Sequence, residues 1–78
     1  MPKPPMSEAA RQLGERVRER RHALGLSQER LAEDSDLHWS ALGRIERGQS
    51  NLTLTNLIRL AEVLEVNPGD LVRGLRST

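Results

Sequence analysis

Hydrogen-bonding and aromatic side chains recur at helical spacing between residues 38 and 44. They lie at positions 1, 2, 3, 6 and 7 of this stretch: His38, Trp39, Ser40, Gly43 and Arg44. If the opposite side of the helix is buried, these positions share an outward face. Its imidazole, indole, hydroxyl and guanidinium groups can all donate hydrogen bonds, and a guanidinium fork matches guanine O6 and N7. Such a face can enter the major groove of DNA, N-terminus first.

Three residues in this region also have a purely structural interpretation. Trp39 lies three residues before Leu42 and could lean into the core as the chain's one aromatic residue. Arg44 could be a solvated charge paired with Asp34 or Glu33. Asn51, in the polar segment after this helix, could be a simple loop former.

Few residues in the chain suit catalysis. The two histidines, His22 and His38, form no Glu/His pair at metal-ligand spacing, and there is no cysteine. Ser40 lies two residues from His38, and such positions on a helix point apart. The sequence therefore predicts a protein without enzymatic activity, metal or cofactor.

Composition and length indicate one small all-α domain. The chain has 78 residues, and leucine and alanine supply most of its apolar side chains, whereas strand-forming residues are scarce. The lack of cysteine excludes a disulfide scaffold. No apolar run reaches the roughly 18 residues of a membrane span, and no signal peptide is evident. We therefore expect a cytoplasmic, nucleoid-associated protein with no membrane partner.

The charge is distributed unevenly along the chain. The total is +1, but residues 1–30 carry a net +3 and residues 31–46 a net −3. The arginine-rich run 16–21 is interpreted as a solvated face whose members pair with Glu15 and Glu19. A weakly basic helix of this kind assists DNA binding without being sufficient for it.

Capping residues and apolar spacing predict five helices. The predicted ranges are 7–24, 28–35, 39–47, 53–65 and 68–75. Residues 1–6, which include three prolines, are predicted to be a disordered lead-in to one domain spanning 7–78. The expected inward residues of the first helix are Ala10, Leu13, Val17 and Leu24, and those of the fourth are Leu54, Leu57, Ile58, Ala61 and Leu64.

Residues 28–47 have the pattern of a central helix-turn-helix. Ala32 is small at the point where the two helices would cross most closely. Larger apolar residues fill the wedge between them: Leu31, Leu37, Leu42 and Ile45. A helical hairpin with no DNA partner is the alternative.

Several short motifs resemble those of the Cro/repressor-type (XRE) helix-turn-helix family. They are Gly25-Leu26-Ser27-Gln28, Leu31-Ala32, Ile45-Glu46-Arg47-Gly48 and Leu57-Ile58-Arg59-Leu60-Ala61. The resemblance covers about residues 10–75 and is greatest to controller proteins of restriction-modification systems. It implies a five-helix, lambda-repressor-like DNA-binding domain, with Asp36 where the turn usually has glycine.

The resemblance also implies roles for individual residues. Gln28 would meet the phosphate backbone and support the reading helix, and His38 would cap that helix or contact a phosphate. Arg21 and Glu46 would form a buried ion pair. The residues expected to face base edges are Trp39, Ser40, Gly43 and Arg44, and those expected to grip phosphates are Arg47, Gln49, Ser50 and Asn51. Trp39 is an unusual reader, and Gly43 is interpreted as permitting close approach of the helix backbone to DNA.

The apolar residues Leu71, Val72 and Leu75 of the fifth helix either cap the bundle or face the same patch in a second copy. A twofold dimer would place two reading helices about 34 Å apart. The sequence thus predicts a homodimeric, sequence-specific regulator of transcription on a palindromic operator, as a restriction-modification controller or phage-type repressor. The alternatives are an antitoxin of a toxin–antitoxin pair and a protein-interaction module that does not bind DNA. Contacts with a toxin or with RNA polymerase stay open.

Overall fold

The protein folds as five α-helices, and the computed structural model, which describes residues 3–77, contains no strand in that range. In chain order the helices are α1 (Glu8–Ala23), α2 (Gln28–Asp34), α3 (Trp39–Glu46), α4 (Leu54–Leu64) and α5 (Pro68–Val72). The predicted all-α, five-helix class is confirmed. Among residues 3–77, no helix is both long and apolar enough to cross a bilayer.

The helices begin where the capping residues predict. The hydroxyls of Ser7, Ser27 and Thr53 each accept a hydrogen bond from the backbone N–H three residues on, at 3.0, 3.0 and 3.1 Å. At α5 the Asp70 carboxylate accepts the backbone N–H of Asn67 at 3.3 Å. Each cap satisfies an N–H that has no partner within its helix.

The helix ends differ from the predicted ones, by one residue at α1 to α4 and by three at α5. One residue is within the variation of any assignment, but the early end of α5 has a specific cause. The Leu71 carbonyl accepts from Nη1 of Arg16 at 3.1 Å. The Leu75 N–H donates to the Val72 carbonyl instead, and Gly74 turns the chain with φ of +76°.

One core joins all five helices. The buried apolar residues are Val17, Leu31, Ala32, Leu42, Ile45, Leu60, Ala61, Leu64 and Leu71. Leu13, Leu24, Leu37 and Leu57 are partly buried against this cluster. The wedge predicted between α2 and α3 is therefore present, with Ala32 2% exposed at its centre.

The predicted inward face of α4 is partly wrong. Leu54 is 70% exposed and Ile58 is 39% exposed, whereas Leu60, which was not predicted to face inward, is fully buried. Apolar residues lie on most sides of this helix, so their periodicity allows more than one buried face. Packing against α1, α2 and α5 selects the side that carries Leu60, Ala61 and Leu64.

The arginine-rich run of α1 is not the solvated face that was predicted. Arg18 donates to the Glu46 carbonyl at 3.2 Å, and Arg20 donates to the Leu64 carbonyl at 2.8 Å. Arg16 donates in the same way to Leu71 and Arg73, at 3.1 and 2.8 Å. These carbonyls lie at the C-terminal ends of α3, α4 and α5, where cations are favoured by the helix dipole and by the unpaired acceptors. The run therefore ties α1 to three other helices, and Glu15 pairs with Arg11 instead.

The part of the predicted lead-in that the structure describes contacts the folded domain. The Met6 N–H donates to the Gly48 carbonyl at 2.8 Å, and Nε2 of Gln49 donates to the Lys3 carbonyl at 2.7 Å. These two bonds hold the segment from Lys3 to Met6 against the loop after α3. Residues 1 and 2 of the predicted lead-in lie outside the described residues.

Candidate nucleic-acid interface

The turn between α2 and α3 sets the angle of the second helix. Asp36 adopts the left-handed conformation, with φ of +56°, at the position where the resemblance implied glycine. Aspartate tolerates this conformation better than most residues do. The Leu37 N–H then donates to the Ala32 carbonyl at 2.8 Å. The turn is thus closed by its own backbone, and Trp39 at the start of α3 lines a concavity with Ala32 and Glu33 of α2.

The outward face predicted for residues 38–44 is only partly exposed in the structure. His38, Trp39 and Arg44 are exposed, Ser40 is half-buried and Gly43 is buried. Trp39 is 62% exposed, so it is not the missing aromatic residue of the core. The structure therefore leaves His38, Trp39 and Arg44 open to solvent.

His38, Trp39 and Ser40 form a connected cluster at the N-terminus of α3. The imidazole of His38 caps the helix, since its Nδ1 accepts the Ser40 N–H at 3.2 Å. The Ser40 hydroxyl oxygen lies 2.7 Å from the same nitrogen. The imidazole also stacks on the Trp39 indole, with ring centroids 5.9 Å apart and an interplanar angle of 27°. The cluster restrains the indole without covering it.

Arg44 makes no ion pair with the part of the chain that the structure describes. Asp34, one of the partners considered for it, pairs instead with Arg30, whose Nε lies 2.9 Å from Oδ2. The guanidinium of Arg44 is therefore available to a partner in the solvent.

Gly43 does not present open backbone to the solvent. A Cβ built on it would lie 3.1 Å from Nη1 of Arg47, so the guanidinium of Arg47 lies over this glycine. Close approach of DNA at Gly43 requires Arg47 to move.

A buried ion pair fixes the C-terminal end of α3 to α1. The Arg21 guanidinium donates to both carboxylate oxygens of Glu46, at 2.7 and 3.0 Å. Gln28 donates to Oε1 of Glu46 at 3.0 Å. Burial raises the pKa of the Glu46 carboxyl, but hydrogen bonds from Arg21 and Gln28 and the charges of Arg21 and Arg18 outweigh it, so the pKa is lowered. The carboxylate is therefore charged at neutral pH and accepts hydrogen bonds from both Arg21 and Gln28.

Gln28 links this buried network to the surface. Its side chain is half-buried and is held by the bond to Glu46, which leaves one Nε2–H and the Oε1 free to face outward. The resemblance implied a phosphate contact for Gln28. The structure adds that the buried carboxylate of Glu46 holds the Gln28 side chain in place.

The loop after α3 carries the other predicted phosphate contacts. Arg47 donates to Oε1 of Gln49 at 3.2 Å, so these two side chains are joined. Asn51 is exposed, and the half-buried Ser50 donates to its carbonyl at 3.3 Å. A concave pocket of about 320 Å³ adjoins the loop. Its lining includes four cationic residues, three of which had no predicted site role and one of which, Arg47, did: Lys3, Arg11, Arg18 and Arg47.

Sequence reasoning did not place Lys3, Arg11 or Arg18 near the predicted interface. Lys3 is brought there by the hydrogen bond from Gln49 to its carbonyl. Arg18 reaches it because Nη2 bonds the Glu46 carbonyl. A sequence signal existed only for Arg18, which lies three residues before Arg21 on the same side of α1.

The predicted dimer residues have different environments. Leu71 is 3% exposed and belongs to the core of the monomer, which leaves it little surface for a partner. Val72 is 39% exposed, and Leu75 is half-buried beside Leu13 and Leu52. Among the large apolar residues left exposed are Leu54 and Ile58 of α4, which the sequence had assigned to the core.

Nowhere in residues 3–77 do three potential metal ligands converge. The exposed side of α3 and the loop that follows it carry most of the predicted DNA contacts. Comparison with known proteins agrees with that geometry, because the model of the helix-turn-helix family matches residues 17–71, including both helices and the turn.

The chain belongs to the Cro/repressor-type (XRE) helix-turn-helix family of DNA-binding transcription regulators. It is 43% identical over 67 residues to control protein C.SmaI of Serratia marcescens, an alignment that covers 83% of this chain and 80% of that protein. Among solved structures it resembles the restriction-modification controller protein C.AhdI from Aeromonas hydrophila. That match has a TM-score of 0.78 and 47% identity, and covers 80% of this chain and 94% of the other.

A structure that contains DNA shares the same fold. The biofilm master regulator SinR in complex with DNA matches with a TM-score of 0.72 and 33% identity, over 76% of this chain and 95% of that one. The lambda-repressor-like fold implied by the sequence resemblance is therefore confirmed for this helix-turn-helix protein.

Proposed function

We propose that this helix-turn-helix protein is a sequence-specific regulator of transcription that binds double-stranded DNA as a homodimer on an inverted repeat. The observation that carries the proposal is the exposed face of α3, on which Trp39 and Arg44 face the solvent while Glu46 anchors the helix from inside. A rigidly held helix with free donors on its outer side suits insertion into a major groove.

Within that face and its flanks the roles are divided by chemistry. Arg44 is the reader of a base edge, since a free guanidinium can bond guanine O6 and N7 together. The nearby groups contact backbone phosphates and set the position of the helix: Gln28, His38, Arg47, Gln49 and Asn51. The Ser40 hydroxyl is engaged with His38 and acts mainly by holding the cluster.

The dimer rests on apolar surface that the monomer leaves uncovered. Leu54 and Ile58 lie four residues apart on one side of α4 and are exposed, as is Val72 of α5. An exposed set of large apolar residues on so small a domain favours a partner surface. We assign the contact between copies to Leu54, Ile58 and Val72 and leave Leu71 to the core of each monomer.

The biological setting is a restriction-modification system, by similarity to C.SmaI and C.AhdI. The protein would act in the cytoplasm, at the nucleoid, without cofactor or enzymatic activity. Bound at its operator, it would change transcription by contact with RNA polymerase or by excluding it.

In vitro selection of random duplex DNA on the purified protein, at about 0.15 M salt, tests the proposal. The expected result is an enriched inverted repeat whose half-site centres are one or two helical turns apart, about 34 Å per turn. A folded protein that enriches no sequence would overturn the proposed DNA recognition. Enrichment of a single half-site without symmetry would overturn the homodimer alone.

A further inference from the structure

The exposed indole of Trp39 offers apolar surface to a binding partner. It is the one tryptophan of the chain, stands first in α3 and is 62% exposed. Exposing so large an apolar surface to water is unfavourable unless a partner covers it. The face of α3 that carries it is the one that the proposed function places in the major groove.

The surroundings of the indole fix its position. The imidazole of His38 stacks on it and is itself held by the Ser40 N–H, which donates to Nδ1 at 3.2 Å. The indole is therefore restrained at the start of the helix before any ligand arrives.

The major groove offers one apolar group at the base edges, the C5-methyl of thymine. Apart from small ring C–H groups, the other base-edge groups there are hydrogen-bond donors or acceptors, which an indole face cannot satisfy. We propose that Trp39, backed by His38, forms a binding subsite for the C5-methyl group of a pyrimidine, so that it selects thymine at one position of each half-site. This inference rests on the proposed function and adds the chemical class of the group that is read.

Uracil substitution tests the subsite, because uracil lacks the methyl group and keeps every hydrogen-bonding group of thymine. The duplex that selection enriches is remade with uracil in place of each thymine in turn. At one position the dissociation constant is expected to rise about fourfold, which is the effect of losing the burial of one methyl or methylene group. The Trp39→Ala variant should bind thymine and uracil duplexes equally at that position, since it lacks the contact.

Arg44→Ala is the matched control on the same face. It should lower affinity for the selected duplex yet keep the preference for thymine over uracil at the Trp39 position, as expected for independent contacts. Circular dichroism of both variants verifies that the helices are intact.

Intrinsic fluorescence gives a second measurement, because the chain has no other tryptophan and no tyrosine. Emission should change when the wild-type protein binds the thymine duplex. Three results would overturn the subsite: no uracil position that weakens binding, a Trp39→Ala variant that keeps the thymine preference, or a selected half-site without any thymine. Since each of them is seen with a protein that binds DNA, they are distinct from failure of the proposed function, in which no duplex is enriched.

Discussion

The Arg21 guanidinium holds both carboxylate oxygens of Glu46, with Nε–Oε2 at 2.7 Å and Nη2–Oε1 at 3.0 Å. The pair joins the last turn of α1 to the last residue of α3. Its third member, Gln28, begins α2 and donates to the same carboxylate. Three helices thus meet at one buried charge, which sets the orientation of the helix proposed to read DNA.

Removing one partner of this pair should destabilise the fold strongly. Arg21→Met leaves the Glu46 carboxylate buried without its bidentate donor, and the expected loss in the free energy of unfolding is about 3 kcal/mol. Urea denaturation measures it. Arg11→Met on the same helix breaks an exposed pair with Glu8 and should cost much less. Similar losses in the two variants would contradict the structural role of the buried pair.

Acid should weaken the fold through Glu46. The pKa of this carboxyl is lowered in the folded state, so the unfolded chain binds more protons in acid. The contribution of Glu46 to the free energy of unfolding is therefore complete above the unfolded pKa of about 4.3. It is lost as the pH falls from there through the folded pKa. The free energy of unfolding, measured from pH 7 to pH 3, should therefore decline more steeply in the wild type than in Glu46→Gln.

Glu8 supplies the control for this titration. The hydrogen bond from Arg11, followed by that from Gln12, lowers its pKa to about 2, but the carboxyl is fully exposed. The part that Glu8 contributes to the loss of unfolding free energy in acid should become small at high salt, because salt screens exposed charges. The contribution of Glu46 should persist, and its disappearance at high salt would show that the pair is not buried in solution.

Gly14 should be intolerant of even one added carbon. A Cβ there would lie 2.6 Å from the Glu46 carbonyl oxygen, against backbone that cannot yield without shifting α3. Gly14→Ala is expected to cost about 3 kcal/mol of unfolding free energy, read from chemical denaturation. Gly69 of α5 has no atom within 4 Å of such a carbon, so Gly69→Ala should be neutral or slightly stabilising. A neutral Gly14→Ala would mean that α1 and α3 are farther apart than described.

Arg44 and Arg47 should differ in what their loss does to DNA binding. Arg44→Ala should reduce discrimination at one base pair by about 1–3 kcal/mol. Arg47→Ala should weaken binding to all sequences alike and reduce the salt slope of the logarithm of affinity by about 0.9. Titrations of specific and random duplexes at several salt concentrations separate the two. If Arg44→Ala lowers both affinities equally, the residue does not read a base.

A lysine on the exposed face of α4 should dissociate the proposed dimer. Leu54→Lys places a charge in the assigned contact, whereas Thr55→Lys places the same charge one residue away on the exposed surface of the helix. Light scattering after size exclusion should give a monomer for the first variant and a dimer for the second. A dimer in both would move the contact to another surface.

Much of the fold follows from local sequence signals. The caps at Ser7, Ser27 and Thr53 begin their helices where predicted, because a capping bond involves residues only three apart. The packing of α2 against α3 around Ala32 is also predictable from the sequence. A small residue between apolar neighbours permits the close crossing of two adjacent helices. The periodicity of the helix likewise predicts that Arg44 faces outward.

Only the tertiary structure decided which side of α4 is buried, where Leu71 packs and what the arginines of α1 contact. Leu54 and Leu60 are chemically alike, and the location of α1 and α5 determines that the first faces solvent and the second the core. Arg20 bonds a carbonyl 44 residues away in the chain. Such contacts depend on the distances between helices, which are set by the packing of the whole core and not by the spacing of residues within one helix.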